Sequence, residues 1–229
     1  MTHGSTRKSV SSLALVSCAV TLLANAALAE DGRRYEVTVT NLTRGQQFTP
    51  ILVASHREGV TLFSLGSPAS PELSTLAEEG NTAPLAALLS ATPGVLEVVT
   101  SGPLLNPGAS RTVIVRTRGR FDHVSVAAML IPTNDGFFAV NGIEGPADSQ
   151  TLTVYSPAYD AGSEVNDELC SNIPGPFFGE CGGPGGGGKP GGGEGYVHIH
   201  AGIHGIGDLT AAARDWRNPV AKIVIRRIH

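Results

Sequence analysis

The chain has 229 residues, a formal net charge of −4 and 41% hydrophobic residues. A mildly acidic chain lacks the basic patches with which proteins bind nucleic acid, so composition excludes a nucleic-acid partner. The length is sufficient to bury one hydrophobic core, and we expect one domain after the N-terminal segment.

The N-terminal segment 1–29 has the order of a secretory signal peptide. Two basic residues precede an apolar run over 10–28, and the small-residue triplet Ala-Leu-Ala ends the run at Ala29. We expect cleavage after Ala29, which leaves 30–229 as the domain of a secreted or periplasmic protein. Cys18 follows Leu-Val-Ser, and lipid anchoring at this cysteine is the alternative. No later segment is long and apolar enough to predict a transmembrane segment in the mature chain.

Seven segments have the alternating or β-branched pattern of strands. They are residues 35–42, 48–54, 111–116, 123–131, 151–155, 196–201 and 220–228. Pro50 restricts the second of them to a sheet edge or a strand start. Strands separated by turn residues in this number predict an all-β fold, an antiparallel β-sandwich.

Helical spacing of leucine and alanine occurs at 71–79 and 83–90, between the second and third predicted strands. Pro71 suits a first helical turn, and Ser70 is the expected N-cap. We expect a short helical excursion that crosses between strands without a core of its own.

Eleven of the seventeen residues 179–195 are glycine, and two are proline. Such a segment has too few side chains to bury, which predicts a flexible surface loop within the domain. A phosphate-binding loop is not expected, because no Gly-Lys-Ser/Thr follows and no helix begins directly after the glycines.

Two cysteines, Cys170 and Cys181, remain after the predicted cleavage. In an oxidising compartment an even pair favours a disulfide that closes a short loop. A structural zinc site that uses both thiolates is the alternative.

Three acidic residues, Asp135, Asp160 and Glu164, stand in loops after predicted strands. Calcium takes several oxygen ligands from such loops, and three neighbours could add oxygens: Asn134, Asp167 and Glu168. The alternative is ordinary turn chemistry, in which acidic residues beside glycine serve only the backbone.

Three histidines, His198, His200 and His204, form an H-x-H-x3-H pattern that is compatible with zinc or copper. In a strand His198 and His200 point to one face, and His204 follows in a turn. The alternative is a solvated or hydrogen-bonded edge strand. No Gly-x-Ser-x-Gly or HExxH motif occurs, and we expect a protein that is not an enzyme. A metal-dependent enzyme built on these histidines is the rival hypothesis.

Three motifs together resemble the spondin N-terminal domain family: VSVAAMLIPTNDGFFAVNGI, YDAGSEVNDE and WRNPVAKIVIRRI, in this order. The resemblance covers about residues 34–228. It implies a C2-like β-sandwich with calcium bound by Asp135, Asp160 and Glu164, the last at a position where animal spondins have aspartate. The glutamate side chain is longer than that of aspartate, so we expect the coordination geometry and affinity at this position to differ.

The resemblance also implies a role in adhesion or ligand binding, with an extracellular or envelope protein, a carbohydrate or a lipid surface as partner. The glycine-rich segment and the three histidines have no counterpart in the animal domains, so the resemblance predicts no role for them.

Overall fold

The computed structural model describes Met1, Thr2, Gly4 and residues 33–228. The predicted signal peptide cleavage site and Cys18 lie outside the described residues. The chain divides into two units, Met1–Gly32 and Arg33–His229, and every element below belongs to the second.

The elements follow one another in an order dominated by strands. The strands are β1 Arg34–Asn41, β2 Gln47–Phe48, β3 Leu52–His56, β4 Val95–Thr100, β5 Ser110–Arg116, β6 His123–Ile131, β7 Gly136–Glu144, β8 Thr151–Ser156, β9 Ala158–Asp160, β10 Phe177–Phe178, β11 Gly183–Pro184, β12 His198–Ile199 and β13 Ala221–Ile228. The helices are α1 Pro71–Glu79, α2 Ala83–Ala91 and α3 Ala211–Arg214, with a 3-10 turn at Cys170–Asn172.

Two antiparallel sheets form the sandwich. The first has the strand order β5-β1-β13-β8, and the second has the order β12-β9-β7-β6-β3-β4, with β2 paired to β6. The β10–β11 hairpin is a separate small sheet. The predicted all-β sandwich is therefore confirmed, and its longest pairing is β1 with β13 over eight residue pairs.

The core between the sheets follows from side-chain alternation. In β1 every second residue is buried, and these residues pack with apolar residues of the facing sheet such as Val126, Leu130 and Phe138. The outward residues of β1 are polar, and Thr38 and Thr112 bond through their hydroxyl groups at 2.8 Å on the exposed face. One sheet thus has a core face and a solvent face.

The central strands of the second sheet, β3, β6 and β7, are buried on both faces over most of their length. Phe137 lies in a second apolar cluster with Leu73 and Leu76 of α1 and Leu85 of α2, whereas its neighbour Phe138 faces the first sheet. The expectation that the helices lack a core of their own was wrong. The reason is that β6 and β7 carry apolar residues at consecutive positions, and an outer face of that kind requires cover.

Helix α1 begins and ends as its sequence predicts. The Ser70 side chain accepts the Leu73 N–H at 3.2 Å, and Pro71 occupies the first turn. Gly80 ends the helix in the left-handed conformation, with φ at 66°.

The strand predictions differ from the structure in particular places. The segment 48–54 divides at Pro50 into β2 and β3, and 196–201 contributes only the two residues of β12. Strands β4, β7 and β9 were missed, as was the β10–β11 hairpin. The unalternating apolar start of β7, Gly-Phe-Phe-Ala-Val, gives no period of two by which to recognise it.

Cys170 and Cys181 form a disulfide with a Cα–Cα distance of 5.6 Å. The predicted disulfide is confirmed, and the alternative zinc site on these two thiolates was wrong because the sulfurs are bonded to each other.

Candidate functional site

Strand pairing brings two of the predicted calcium ligands to one end of the second sheet. Asp135 closes the turn between β6 and β7, and Asp160 is the last residue of β9. Because Gly136 is the register partner of Asp160, the aspartates lie beside each other. The Ala161 N–H donates to the Asp135 carbonyl at 3.2 Å and continues this pairing past the strand end.

The turn that carries Asp135 leaves no space for a side chain at Gly136. A Cβ there would lie 2.8 Å from the Thr133 hydroxyl and 2.9 Å from a ring carbon of His200. The Thr133 hydroxyl accepts the Gly136 N–H at 3.0 Å and donates to the Leu130 carbonyl at 2.5 Å. Glycine at this position therefore permits a tight turn that fixes Asp135.

One carboxylate oxygen of Asp135 holds the loop that follows β9. Asp135 Oδ2 accepts the Ser163 N–H at 2.8 Å, the Ser163 hydroxyl at 3.2 Å and the Glu164 N–H at 3.0 Å. These bonds place Glu164 next to Asp135, although 29 residues separate the two along the chain. The other oxygen, Asp135 Oδ1, is buried and has no hydrogen-bond partner in the described part of the chain.

Glu164 is covered by the glycine segment, which we define as residues 179–195. The Lys189 N–H donates to Glu164 Oε1, and the Gly191 N–H donates to the Ser163 carbonyl at 2.8 Å. A Cβ on Gly188 would lie 3.0 Å from Glu164 Oε1. The segment thus packs with its backbone against the loop, and the absence of side chains is what permits this contact. Its flexibility remains a prediction.

A fourth carboxylate, Glu78 near the end of α1, joins this group. Glu78 is buried, and Gly188 of the glycine segment lies against its Cβ. Sequence reasoning missed Glu78. A signal was available, because Glu78 and Glu79 both stand at the C-terminal end of a helix, where the helix dipole disfavours negative charge.

Burial raises the pKa of all four carboxyl groups, because it disfavours the charged form. Burial, reinforced by the charge of Asp160, raises the pKa of Asp135 to about 6. Burial, with Glu78 nearby, raises the pKa of Glu164 to about 8. Burial also raises the pKa values of Glu78 and Asp160. Among residues 33–228, no lysine or arginine forms a salt bridge with any of the four.

The donor set fits a hard cation. Asp135 Oδ1 and Glu164 Oε2 are buried oxygens without a hydrogen-bond partner in the described residues, and such groups normally have one. A cation that accepts oxygen ligands would satisfy both and would offset the repulsion among the carboxylates. Asp135, Asp160 and Glu164 are not all within 4.8 Å of one another in this part of the chain, so binding one ion requires inward movement of a side chain.

The three neighbouring residues that could add oxygen ligands form hydrogen bonds within the surrounding loops. Asn134 accepts the Glu168 N–H at 3.2 Å and donates to Asp167 at 3.1 Å. The carboxylate of Glu168 accepts three consecutive backbone N–H groups, from His204, Gly205 and Ile206, at 2.5, 2.7 and 3.0 Å. Asn134, Asp167 and Glu168 therefore position backbone around the site.

The three histidines have different surroundings. His198 is the register partner of Asp160, His200 is buried against Trp216 with ring centroids 5.0 Å apart, and His204 is exposed. Burial lowers the pKa of His200 to about 4, and its Nδ1 accepts the Gly202 N–H at 3.0 Å. Among the described residues the three rings do not form one metal-binding cluster.

A family model described as Spondin_N matches residues 38–164, more than half of the chain. The chain belongs to the spondin N-terminal domain family. The match begins in β1 of this spondin domain and ends at Glu164, so it includes all four buried carboxylates. The glycine segment and the three histidines lie beyond it. No curated protein matches the chain.

A spondin domain with an internal disulfide is typical of extracellular proteins. In the described residues, no helix has both the length and the apolar character needed to cross a bilayer.

Proposed function

We propose that this spondin domain is a non-enzymatic, calcium-binding adhesion or ligand-binding module of an exported protein. The observation that carries the proposal is the pair of unpartnered buried oxygens, Asp135 Oδ1 and Glu164 Oε2. They belong to a group of four buried carboxylates that form no salt bridge with a lysine or arginine among residues 33–228. Burying charge without compensation is costly, so the arrangement favours a bound cation.

Calcium suits this group better than other common cations. It takes six to eight oxygen ligands from carboxylates, carbonyls and water in flexible geometry, and extracellular modules bind it with affinities of about 10⁻⁴ to 10⁻³ M. Asp135, Asp160 and Glu164 supply the carboxylates that the family resemblance implies, and Glu78 adds a fourth. The long Glu164 arm reaches the site from beneath the glycine segment.

The loop that contains Glu164 lies beside exposed apolar side chains. Val165 follows Glu164 directly, and Ile206 is held by the Glu168 carboxylate that lies in the same loop. Both side chains are at least half exposed, at 50% and 69%. Loops fixed on a rigid sandwich and tipped with apolar groups are suited to bind an extracellular or envelope protein, a carbohydrate or a lipid surface.

The test is thermal unfolding of the exported protein with EDTA and with millimolar calcium. At about 10 mM, which is a hundred times a Kd of about 10⁻⁴ M, calcium would add about 2.7 kcal/mol to the free energy of unfolding, which corresponds to a Tm increase of about 5 to 10 °C. Asp135→Asn keeps an acceptor for the loop amides but removes the charge, and we expect it to lose most of the increase. Asp148→Asn, an exposed position, is the matched control and should retain it.

Identical melting curves with and without calcium would contradict the calcium site. Calcium-dependent stabilisation that survives in Asp135→Asn would place the ion elsewhere.

A further inference from the structure

Three potential metal ligands from separate segments meet at the edge of the second sheet. They are Asp160 at the end of β9, His198 in β12 and Glu194 in the glycine segment. Each can place one ligand atom within 4.8 Å of the other two, and among the described residues this is the one group of its kind. The pairing of β9 with β12 sets Asp160 and His198 directly opposite each other, so their side chains share a face.

The His198 and Glu194 side chains lie close together without forming a hydrogen bond. His198 Nε2 lies 3.7 Å from Glu194 Oε2, which is too long for a hydrogen bond. Two donors that each lie about 2.0 to 2.1 Å from one tetrahedral ion are separated by about 3.3 Å. A closure of a few tenths of an ångström would therefore bring His198 and Glu194 onto a common ion.

The His198 ring has unused bonding capacity. Its Nδ1 is buried and has no hydrogen-bond partner in the described part of the chain, and Nε2 faces Glu194 beyond hydrogen-bond distance. Buried polar atoms normally have partners. The ring is packed on one side by Tyr196, with centroids 5.4 Å apart, so its position is fixed without either nitrogen being saturated.

Asp160 provides the buried corner of the group. Its two oxygens accept the Gly162 N–H and the Asn166 side-chain N–H, each at 2.7 Å. A carboxylate oxygen accepts more than one bond, so both remain available to a metal while the hydrogen bonds hold the group in place. The other two ligands are solvent-accessible, with side-chain exposures of 26% for His198 and 40% for Glu194, and an ion can enter from that side.

We propose that Asp160, Glu194 and His198 bind a divalent transition metal of the zinc class. One imidazole and two carboxylates suit zinc and its neighbours, whereas calcium binds oxygen ligands. Three protein ligands leave at least one coordination position for water. The ion would join β9, the glycine segment and β12 at the sheet edge, where only two residue pairs connect β12 to β9. Glu194 and His198 take no part in the proposed calcium site.

The experiment is titration of zinc chloride into the exported, untagged, chelator-treated protein by isothermal calorimetry, with millimolar calcium present throughout. We expect one zinc per chain. His198→Gln and Glu194→Gln should each weaken zinc binding more than about tenfold, because loss of even an outer partner of a metal site commonly weakens it by that factor. His204→Gln, a nearby exposed histidine outside the group, is the matched control and should leave zinc binding unchanged.

Calcium-dependent melting of each variant, measured separately, reports folding and the calcium site. Since Glu194 is a surface residue, its variant provides the test even if His198→Gln does not fold. Zinc affinity that is unchanged in Glu194→Gln overturns the proposal. Zinc binding that persists while the calcium shift is absent supports this site and contradicts only the calcium proposal.

Discussion

Replacing Glu164 by glutamine is expected to have opposite effects on stability with and without calcium. Burial raises the pKa of Glu164 from its ordinary value of 4.5 to about 8. The metal-free folded protein therefore keeps a proton on Glu164 at a pH where the unfolded chain has lost it. Because the folded pKa is the higher one, the stability from this proton is fully present below pH 4.5 and is lost as the pH rises through about 8.

The size of the effect follows from the pKa difference. A shift of between three and four units, at about 1.4 kcal/mol each, amounts to about 5 kcal/mol as an upper limit. Glutamine cannot ionise and retains an acceptor for the Lys189 N–H. In EDTA at about pH 9, Glu164→Gln should therefore be more stable than the wild type by up to about 5 kcal/mol, and at about pH 5 the two should be similar. In calcium the order reverses, because glutamine lacks the charge that binds the ion.

Denaturant unfolding at both pH values, in EDTA and in calcium, measures all four conditions. Glu79→Gln is the matched control, because it makes the same chemical change at an exposed position next to Glu78 and should alter none of the four results by more than about 0.5 kcal/mol. A Glu164→Gln protein that is destabilised to the same degree with and without calcium would refute the reasoning.

Three further predictions concern the scaffold. Gly162→Ala should destabilise the domain by about 3 kcal/mol or more in urea titrations. The reason is that φ is 67° at Gly162 and a Cβ there would collide with the Tyr196 carbonyl oxygen. Gly108→Ala is the control, because φ is 73° but the surrounding space is open, and it should cost only about 1 kcal/mol. Burial lowers the pKa of His56, so stability should fall as the pH drops below 6.5, and His56→Gln should flatten this part of a pH-dependent stability curve; an unchanged slope would contradict it. Removing the disulfide by paired serine substitutions should lower the free energy of unfolding by about 3 kcal/mol for a loop of this length, whereas an equally stable variant would show that the loop is already ordered in the unfolded chain.

The elements that sequence could predict are those with one face in the core. Alternation in β1 and β13 marks a strand with one solvent face, and the proline and serine at the start of α1 mark a helix end. Strand β7 was missed because it is apolar on both sides, and its second face is buried by helices whose packing partners lie far away in sequence. Local patterns carry no information on a second layer of this kind.

The candidate site could be predicted in part. Asp135, Asp160 and Glu164 were selected by their loops and by family resemblance, and the structure places them at one end of the sheet. Glu78 was missed because its relation to Asp135 depends on how α1 packs. The partner of His198 was also missed: proximity in sequence favoured His200 and His204, whereas strand pairing and the glycine segment bring Asp160 and Glu194 to it.

The pairing of Gly136 with Asp160 means that the carboxylate cluster exists only in the assembled sheet. A peptide of residues 160–168 would contain Asp160 and Glu164, but it would lack Asp135 and the strand pairing that brings the carboxylates together. A slip of β9 by one residue would exchange Asp160 for a neighbour and turn its side chain to the opposite face. An ion bound here would therefore select one alignment of the strands over its neighbours, and loss of binding after a distant substitution in β7 or β9 would report misalignment of the sheet.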